Sequence, residues 1–401
     1  MQNPLPVTVV FAWFTNKIGG LEQLIVTRSR WFRAQGVRVI IITVDGPMLS
    51  AYEATGAELI VFGRFENDFD ALGASGLKAR IQRIASIIRS PDGYVGLVGY
   101  DKKSVWFLNE IAIAEGKRKC RLVAEYVALK IFYDFTTDEL AMLGESGRII
   151  CLNQAAADFL AKTQSVHLGA EFIIPIPVTP AKSEAAASYS AEAPVVISAC
   201  RLDEMKEYVF GLLRGSRDFF QRFPAGRIII IGDGVHRQEL EKIAAHFGDG
   251  VVFLGSVDPE KYGDVISRGT VFVGMGTAAV QAAQRGLPVV LATAYDSSFS
   301  SPGYLSAQAS GNFGEDTGSD LAQGWTLVLD LLRTPEGWLR ESRRSAQHAE
   351  VVFSYESNMR KFADLLGAAH DGQCMLRPPA RHSRSRLKML TKRFLIQIGI
   401  K

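Results

Sequence analysis

Apolar residues in this chain come in short, nearly continuous runs separated by stretches with helical spacing. Val7–Phe11, Val37–Val44, Glu58–Phe62, Tyr94–Val98, Leu122–Val127 and Arg148–Leu152 read as strands. Val39-Ile-Ile-Ile-Thr43 is β-branched throughout, which suits a strand covered on both faces of a parallel sheet. Between the first two runs, Leu21, Leu24, Ile25 and Phe32 recur at the spacing of an amphipathic helix. Pro175-Ile-Pro177-Val-Thr-Pro180 breaks the alternation, and Ala181–Pro194, rich in Ala, Ser and Glu, lacks core-like periodicity and reads as a linker. The alternation restarts with Val195–Ala199, Arg227–Ile231, Val251–Phe253, Thr270–Val273 and Pro288–Ala292. Near the end, Ser354–Leu366 places Met359, Phe362, Leu365 and Leu366 on one side of a helix. The pattern predicts an α/β protein of two Rossmann-like, doubly wound domains. The boundaries are 1–180, a linker at 181–194, 195–353, a return helix at 354–370 packing toward the first domain, and a tail at 371–401.

Composition adds little until charge is resolved along the chain. The 401 residues are 47% hydrophobic and 22% charged, an ordinary globular mixture, with a net charge of +3. From Arg377 to Lys401 there are eight Lys/Arg and no acid, so the remainder carries 37 basic against 42 acidic residues. A mildly acidic body with a basic tail argues against a general nucleic-acid binder, and no specific nucleic acid is expected as a partner. In the tail, Leu387, Leu390, Phe394, Leu395 and Ile398 form an apolar stripe with Lys388, Lys392 and Arg393 off it. That pattern suits adhesion to an anionic membrane surface. The N-terminus has no secretory pattern and no apolar run is long enough to span a bilayer. The four cysteines, Cys120, Cys151, Cys200 and Cys374, are dispersed and read as reduced thiols, so the expected setting is cytoplasmic.

Candidate chemistry gathers where strands give way to helices. Arg201-Leu-Asp-Glu-Met-Lys206 follows Val195–Cys200, and a second strand nearby ends in Gly232-Asp-Gly234. Two cations at the exit of a parallel strand suit a diphosphate in the crevice where such sheets bind ligands. Gly19-Gly20 precedes the helix from Leu21, so its backbone amides can approach an anion; Gly-x-Gly-x-x-Gly is absent. Gly274-Met-Gly276-Thr277-Ala278 begins another helix, where the Thr277 and Ala278 amides and the Thr277 hydroxyl can donate to a phosphate. Glu66-Asn-Asp68-Phe-Asp70 reads as a polar loop rather than a metal-nucleotide site, and the histidines have no metal spacing. No metal and no cofactor are expected.

Taken in order, these residues resemble the two-domain GT-B glycosyltransferases, specifically the group 1, family-four-like retaining enzymes. The resemblance spans most of residues 7–366. It rests on Gly19-Gly20-Leu-Glu22, on Ile149-Ile-Cys-Leu-Asn153 to Leu160 with Ile173–Val178, and on Arg201 and Lys206. It continues through Ile231-Gly-Asp-Gly234, Phe253-Leu-Gly255-Ser-Val257, Gly286-Leu-Pro-Val-Val290 and Phe353-Ser-Tyr-Glu356. It implies two domains facing across a cleft, with a nucleoside-diphosphate sugar on the second and the acceptor on the first. Arg201 and Lys206 would stabilise the departing diphosphate without a metal, and Gly255–Val257 would lie near the base.

Two departures stand out. The family's Glu-x7-Glu has Gln281 at its second glutamate, and the segment after Val273 reads as too short for the first. A histidine common in the first domain is missing, with Glu125 the nearest polar substitute as a catalytic group. The resemblance implies a sugar transferase acting on a lipid-linked or oligosaccharide acceptor, in bacterial surface polysaccharide synthesis at the inner membrane face. A non-catalytic partner binding nucleotide or glycan, and a nucleotide-sugar epimerase, are the alternatives.

Overall fold

The structure, a computed structural model, describes residues 5–63, 65–88, 94–114, 120–127, 134–180, 187–308, 311–315, 320–367 and 376. The first sheet comprises β1 (Thr8–Trp13), β2 (Arg38–Val44), β3 (Glu58–Phe62), β4 (Val95–Gly99), β5 (Cys120–Tyr126) and β6 (Ile149–Cys151). They lie in the order β3-β2-β1-β4-β5-β6, all parallel. The second comprises β7 (Val195–Ala199), β8 (Arg227–Ile231), β9 (Val251–Gly255), β10 (Val271–Gly274) and β11 (Val289–Leu291). Its order, β11-β10-β7-β8-β9, is also wholly parallel.

The uninterrupted apolar runs follow from burial on two faces. In β2, Ile40 and Ile42 join one core cluster, while Val39 and Ile41 join another on the opposite side. All four are buried, and each such side chain contributes roughly 1.5–3 kcal/mol. In β7, Val196 faces the core of the second domain, whereas Ile197 faces a cluster that also contains Leu24 and Leu152 of the first. One apolar cluster therefore continues from domain to domain.

The chain crosses between domains at adjacent points. The Val178 amide donates to the Phe353 carbonyl at 3.2 Å, and Val178 pairs with Ser354. The helix Tyr355–Gly367 then buries Met359, Phe362 and Leu366 in the core of the first domain. Trp31 Nε1 donates to Glu356 Oε2 at 2.8 Å, and the Arg28 guanidinium lies 3.7 Å from the centre of the Phe362 ring.

One segment differs from expectation. Glu66–Asp70 lies within the helix Phe65–Ile88, not in a loop. The described part of the linker rests on the second domain: Tyr189 donates to the Leu332 carbonyl and its ring lies 5.9 Å from Trp338. Of the tail, only Leu376 is described, buried in the core of the first domain, and the amphipathic stripe falls outside the described residues. Among the described residues, no helix is long and apolar enough to cross a membrane.

Candidate functional site

Strand order reverses between β1 and β4 in the first sheet, and between β7 and β10 in the second. Open parallel sheets bind ligands beyond the carboxyl ends of their strands at such reversals. Gly19-Gly20 follow β1, Arg201–Lys206 follow β7, and Gly274–Thr277 follow β10. All three segments therefore lie at a reversal point.

The loop after β7 is held by its neighbours. The Cys200 and Leu202 amides donate to the Ile231 and Asp233 carbonyls, both at 2.9 Å. This close approach explains Gly232: its φ is +123°, and a Cβ there would meet the Cys200 carbonyl oxygen. Asp203 accepts from the Met205 amide at 3.2 Å, folding Glu204–Lys206 into a single turn. Arg201 stays exposed, with a 3.4 Å ion pair to Asp203. The Lys206 ammonium makes no hydrogen bond or ion pair among the described residues. Burial, aided by the Arg201 charge, pushes it down to about 8, although Cys200 and Asp203 act in the opposite sense. Some of its surface remains accessible.

The helix Gly276–Gln284 starts from an extended Met275. Gly276 has φ +70°, a left-handed conformation that favours glycine. Its amide already donates to the Phe313 carbonyl at 2.7 Å. The first-turn amides of Thr277 and Ala278 have no acceptor within the helix and are left for an anion.

The first domain presents a second helix N-terminus to the same place. A Cβ on Gly20 would lie 3.3 Å from Thr277 Oγ1, and one on Gly19 would lie 3.9 Å from the Arg201 guanidinium carbon. Glu22 shapes this loop by accepting from Trp13 Nε1 at 3.1 Å and from the Lys17 amide at 3.4 Å. A Cβ on Gly19 would stand 2.7 Å from Glu22 Oε2, so any larger residue there would displace the Glu22 carboxylate. Gly19, Gly20, Arg201 and Thr277 thus converge across the domain boundary, with Lys206, Gly276 and Ala278 on the same loops. Gly255 and Val257 sit apart, at the end of β9, two strands from β7. Gln281 is half-buried, one turn into its helix.

One expectation requires correction. Glu125 is fully buried in β5, and both its carboxylate oxygens accept from the Arg28 guanidinium, one of them at 2.6 Å. Both side chains are wholly enclosed. Burial alone would lower the Arg28 pKa, but the Glu125 charge and hydrogen bonds outweigh it, and the pKa is raised. Glu125 is thus a structural ion-pair partner with no free carboxylate to offer a substrate. The segment after Val273 is indeed too short to hold the first glutamate of the expected spacing: the position eight before Gln281 is Val273 itself, fully buried in β10. An apolar side chain and an amide occupy the two glutamate places.

A contact that strand and motif patterns did not reveal lies beside the Gly274–Thr277 loop. Asn153, capping the helix Gln154–Gln164, donates from Nδ2 to Glu315 Oε2 at 2.9 Å across the domains. Its sequence signal is faint: Asn312-Phe-Gly314-Glu315 is a tight-turn pattern in which Asn312 Oδ1 accepts from the Gly314 and Glu315 amides.

No family model and no curated protein matches the sequence. Solved structures do share the fold. Alr3699/HepE of Anabaena, solved with UDP and glucose, superposes with a TM-score of 0.63 at 15% identity, over 90% of this chain and 100% of its own. A glycosyltransferase of Rickettsia africae gives 0.64 at 11% identity, covering 90% and 98%. TarM of S. aureus, solved with UDP, gives 0.62 at 11% identity, covering 92% and 100%. At these identities the likeness establishes the two-domain GT-B fold.

Proposed function

We propose that this chain is a glycosyltransferase that moves a sugar from a nucleoside diphosphate to a lipid-linked or oligosaccharide acceptor. The observation that carries the reading is the convergence of two helix N-termini and the Arg201 guanidinium at one point between the domains. Such a point suits a diphosphate better than any neutral ligand. The shared fold of HepE and TarM, both solved with UDP, adds to it.

In this reading the Thr277 and Ala278 amides hold a phosphate, and Arg201 and Lys206 face the oxygens that gain charge. The bond between the anomeric carbon and the terminal phosphate oxygen breaks as the acceptor hydroxyl oxygen bonds to that carbon. Its proton passes to the departing phosphate or to solvent. Positioned cations that strengthen their interaction as charge develops lower this barrier directly. With strands about 4.8 Å apart, β9 lies roughly 10 Å from β7, a separation that suits a base at Gly255–Val257 and a diphosphate at Arg201. Retention at the anomeric carbon, independence from metal, surface-polysaccharide products and adhesion of residues 377–401 to the inner membrane face belong to the same proposal.

The test is calorimetric titration with ADP, GDP, UDP and their sugars, without metal, against wild type and an Arg201→Ala/Lys206→Ala variant. We expect one nucleotide to bind and its affinity to collapse in the variant. Absence of binding to all of them refutes the reading. Val273 and Gln281, in place of two glutamates, favour one second reading, a nucleotide-binding subunit without turnover. Binding without transfer to any acceptor in a membrane extract would select it, whereas conversion of the donor sugar alone would indicate an epimerase.

A further inference from the structure

We infer that Glu315 is a positioning residue that ties the phosphate loop of the second domain to the closure of the first. The inference rests on the donor site proposed above but concerns a residue outside it.

Residues 311–315 form a hook with contacts in three directions. Inwardly, Asn312 satisfies the hook itself: its Oδ1 accepts from the Gly314 and Glu315 amides at 2.9 and 2.8 Å, and its Nδ2 donates to the Glu315 carbonyl at 3.0 Å. Asn312 is buried, so the turn is rigidly specified. Toward the second domain, the Phe313 carbonyl accepts from the Gly276 amide of the phosphate loop, Gly274–Thr277, at 2.7 Å, and the Gly314 carbonyl accepts from the Ala294 amide, just after β11, at 3.1 Å. Gly314, at φ +120°, is so close that a Cβ would meet Met275 Cβ at 2.3 Å. Toward the first domain, Glu315 Oε2 accepts from Asn153 Nδ2 at 2.9 Å, and a Cβ on Gly311 would lie 3.6 Å from Asn153 Cβ.

Two residues from the Gly276 contact, the hook thus grips the first domain. Met275 and Gly276 set where the Thr277 and Ala278 amides point. The Asn153 side chain is fixed from its other end, because its Oδ1 accepts from the Ala156 amide at 2.7 Å. A rigid turn with one end on the phosphate loop and the other on the opposite domain transmits domain position to the loop. Glu315 is 8% exposed, and a carboxylate so enclosed has few alternative partners. If the domains separate, the bond to Asn153 breaks and the constraint on the phosphate loop relaxes. Diphosphate affinity and closure are thereby coupled through Glu315.

The test compares four proteins with whichever of ADP, GDP and UDP the wild type binds: wild type, Glu315→Ala, Asn153→Asp, and the double variant Asn153→Asp/Glu315→Gln. Asn153→Asp keeps an oxygen for the Ala156 amide but sets a carboxylate against Glu315. In the double variant the introduced glutamine amide can donate to the introduced carboxylate, restoring the bond with its polarity reversed. We expect the dissociation constant to rise roughly tenfold or more in each single variant, as for loss of a hydrogen bond to a charged group. It should return toward wild type in the double variant. Hydrogen exchange at Gly276 should quicken in the single variants and slow again in the double. Single variants with unchanged affinity, or a double variant no better than Asn153→Asp, overturn the inference. If the nucleotide binds and Arg201→Ala/Lys206→Ala abolishes binding, that failure belongs to Glu315 alone. If no nucleotide binds wild type, the donor site itself is refuted and the inference falls with it.

Discussion

Lys206 offers the most quantitative test of the donor site, because burial holds its ammonium at about 8, within an accessible pH range. A diphosphate beside it supplies the opposite charge and returns the group to an ordinary lysine pKa, about 10.4. Between those values the complex holds a proton that the free protein does not. Binding therefore takes up about 0.1 proton at pH 7, about half a proton at pH 8 and about 0.9 at pH 9. The same linkage requires affinity to fall about tenfold from pH 7 to pH 9, with little change below pH 7.5 from this group. The terminal phosphate ionises near 6, so measurements from pH 7.5 to 9.5 keep it out of the result. The unliganded protein behaves oppositely: the unfolded chain binds more protons than the folded between pH 8 and about 10.4, so stability from Lys206 rises across that window. The assay is isothermal titration of the nucleoside diphosphate in buffers of different ionisation enthalpy, which counts protons directly. Lys206→Arg, which stays charged throughout, should bind with a flat pH profile and no proton uptake. Proton uptake near zero in wild type at pH 8 to 9, with a profile matching Lys206→Arg, would refute the placement of Lys206 against the diphosphate.

Two further substitutions separate structural from functional residues. Glu125→Gln leaves the Arg28 guanidinium buried without its counter-charge, a change that costs about 3–5 kcal/mol. Thermal unfolding should shift down by roughly 10 °C while nucleotide affinity of the folded protein stays unchanged; lost turnover with an unaltered Tm would instead restore Glu125 as a catalytic group. Gly20→Val places branched carbons against Thr277 Oγ1 where even a Cβ stands at 3.3 Å. The contact between the two helix N-termini must then open, and transfer should fall by up to roughly 100-fold with little loss of Tm. An unchanged rate would show that the two helix N-termini do not work at contact distance.

The alternating apolar runs made the architecture readable because each strand is covered on both faces, as Val39 to Ile42 illustrate. Parallel strands joined by helices leave few orders possible, and their exits mark the ligand edge regardless of side chains. Glu66–Asp70 misled because polar residues at the start of a long helix look like a loop when the apolar face comes later, at Leu77, Ile81 and Ile84. Glu125 misled for a different reason. A carboxylate one residue before the end of a strand resembles a site residue, and its partner Arg28 lies 97 positions earlier on a helix that otherwise reads as amphipathic. The Asn153–Glu315 bond was illegible because it joins residues 162 apart on different domains, with no periodicity relating them.

Gln281 bears on the electrostatics of the site, whereas Val273 is enclosed in the core of the second domain. A carboxylate at position 281 would sit on the same helix as the Thr277 and Ala278 amides and would oppose an anion bound there. Without it, Arg201 is paired with Asp203, 3.4 Å away and already engaged in shaping the loop, and the Glu22 carboxylate lies beside Gly19. The site is therefore more attractive to a diphosphate in the ground state than one carrying a carboxylate at position 281. A sugar hydroxyl, by contrast, would lose strong acceptors. The expected consequence is tight binding of nucleoside diphosphate with weak discrimination among the sugars attached to it. Selectivity would then come from the first domain and its acceptor, which makes titration of the unglycosylated nucleotide the more sensitive probe of this protein.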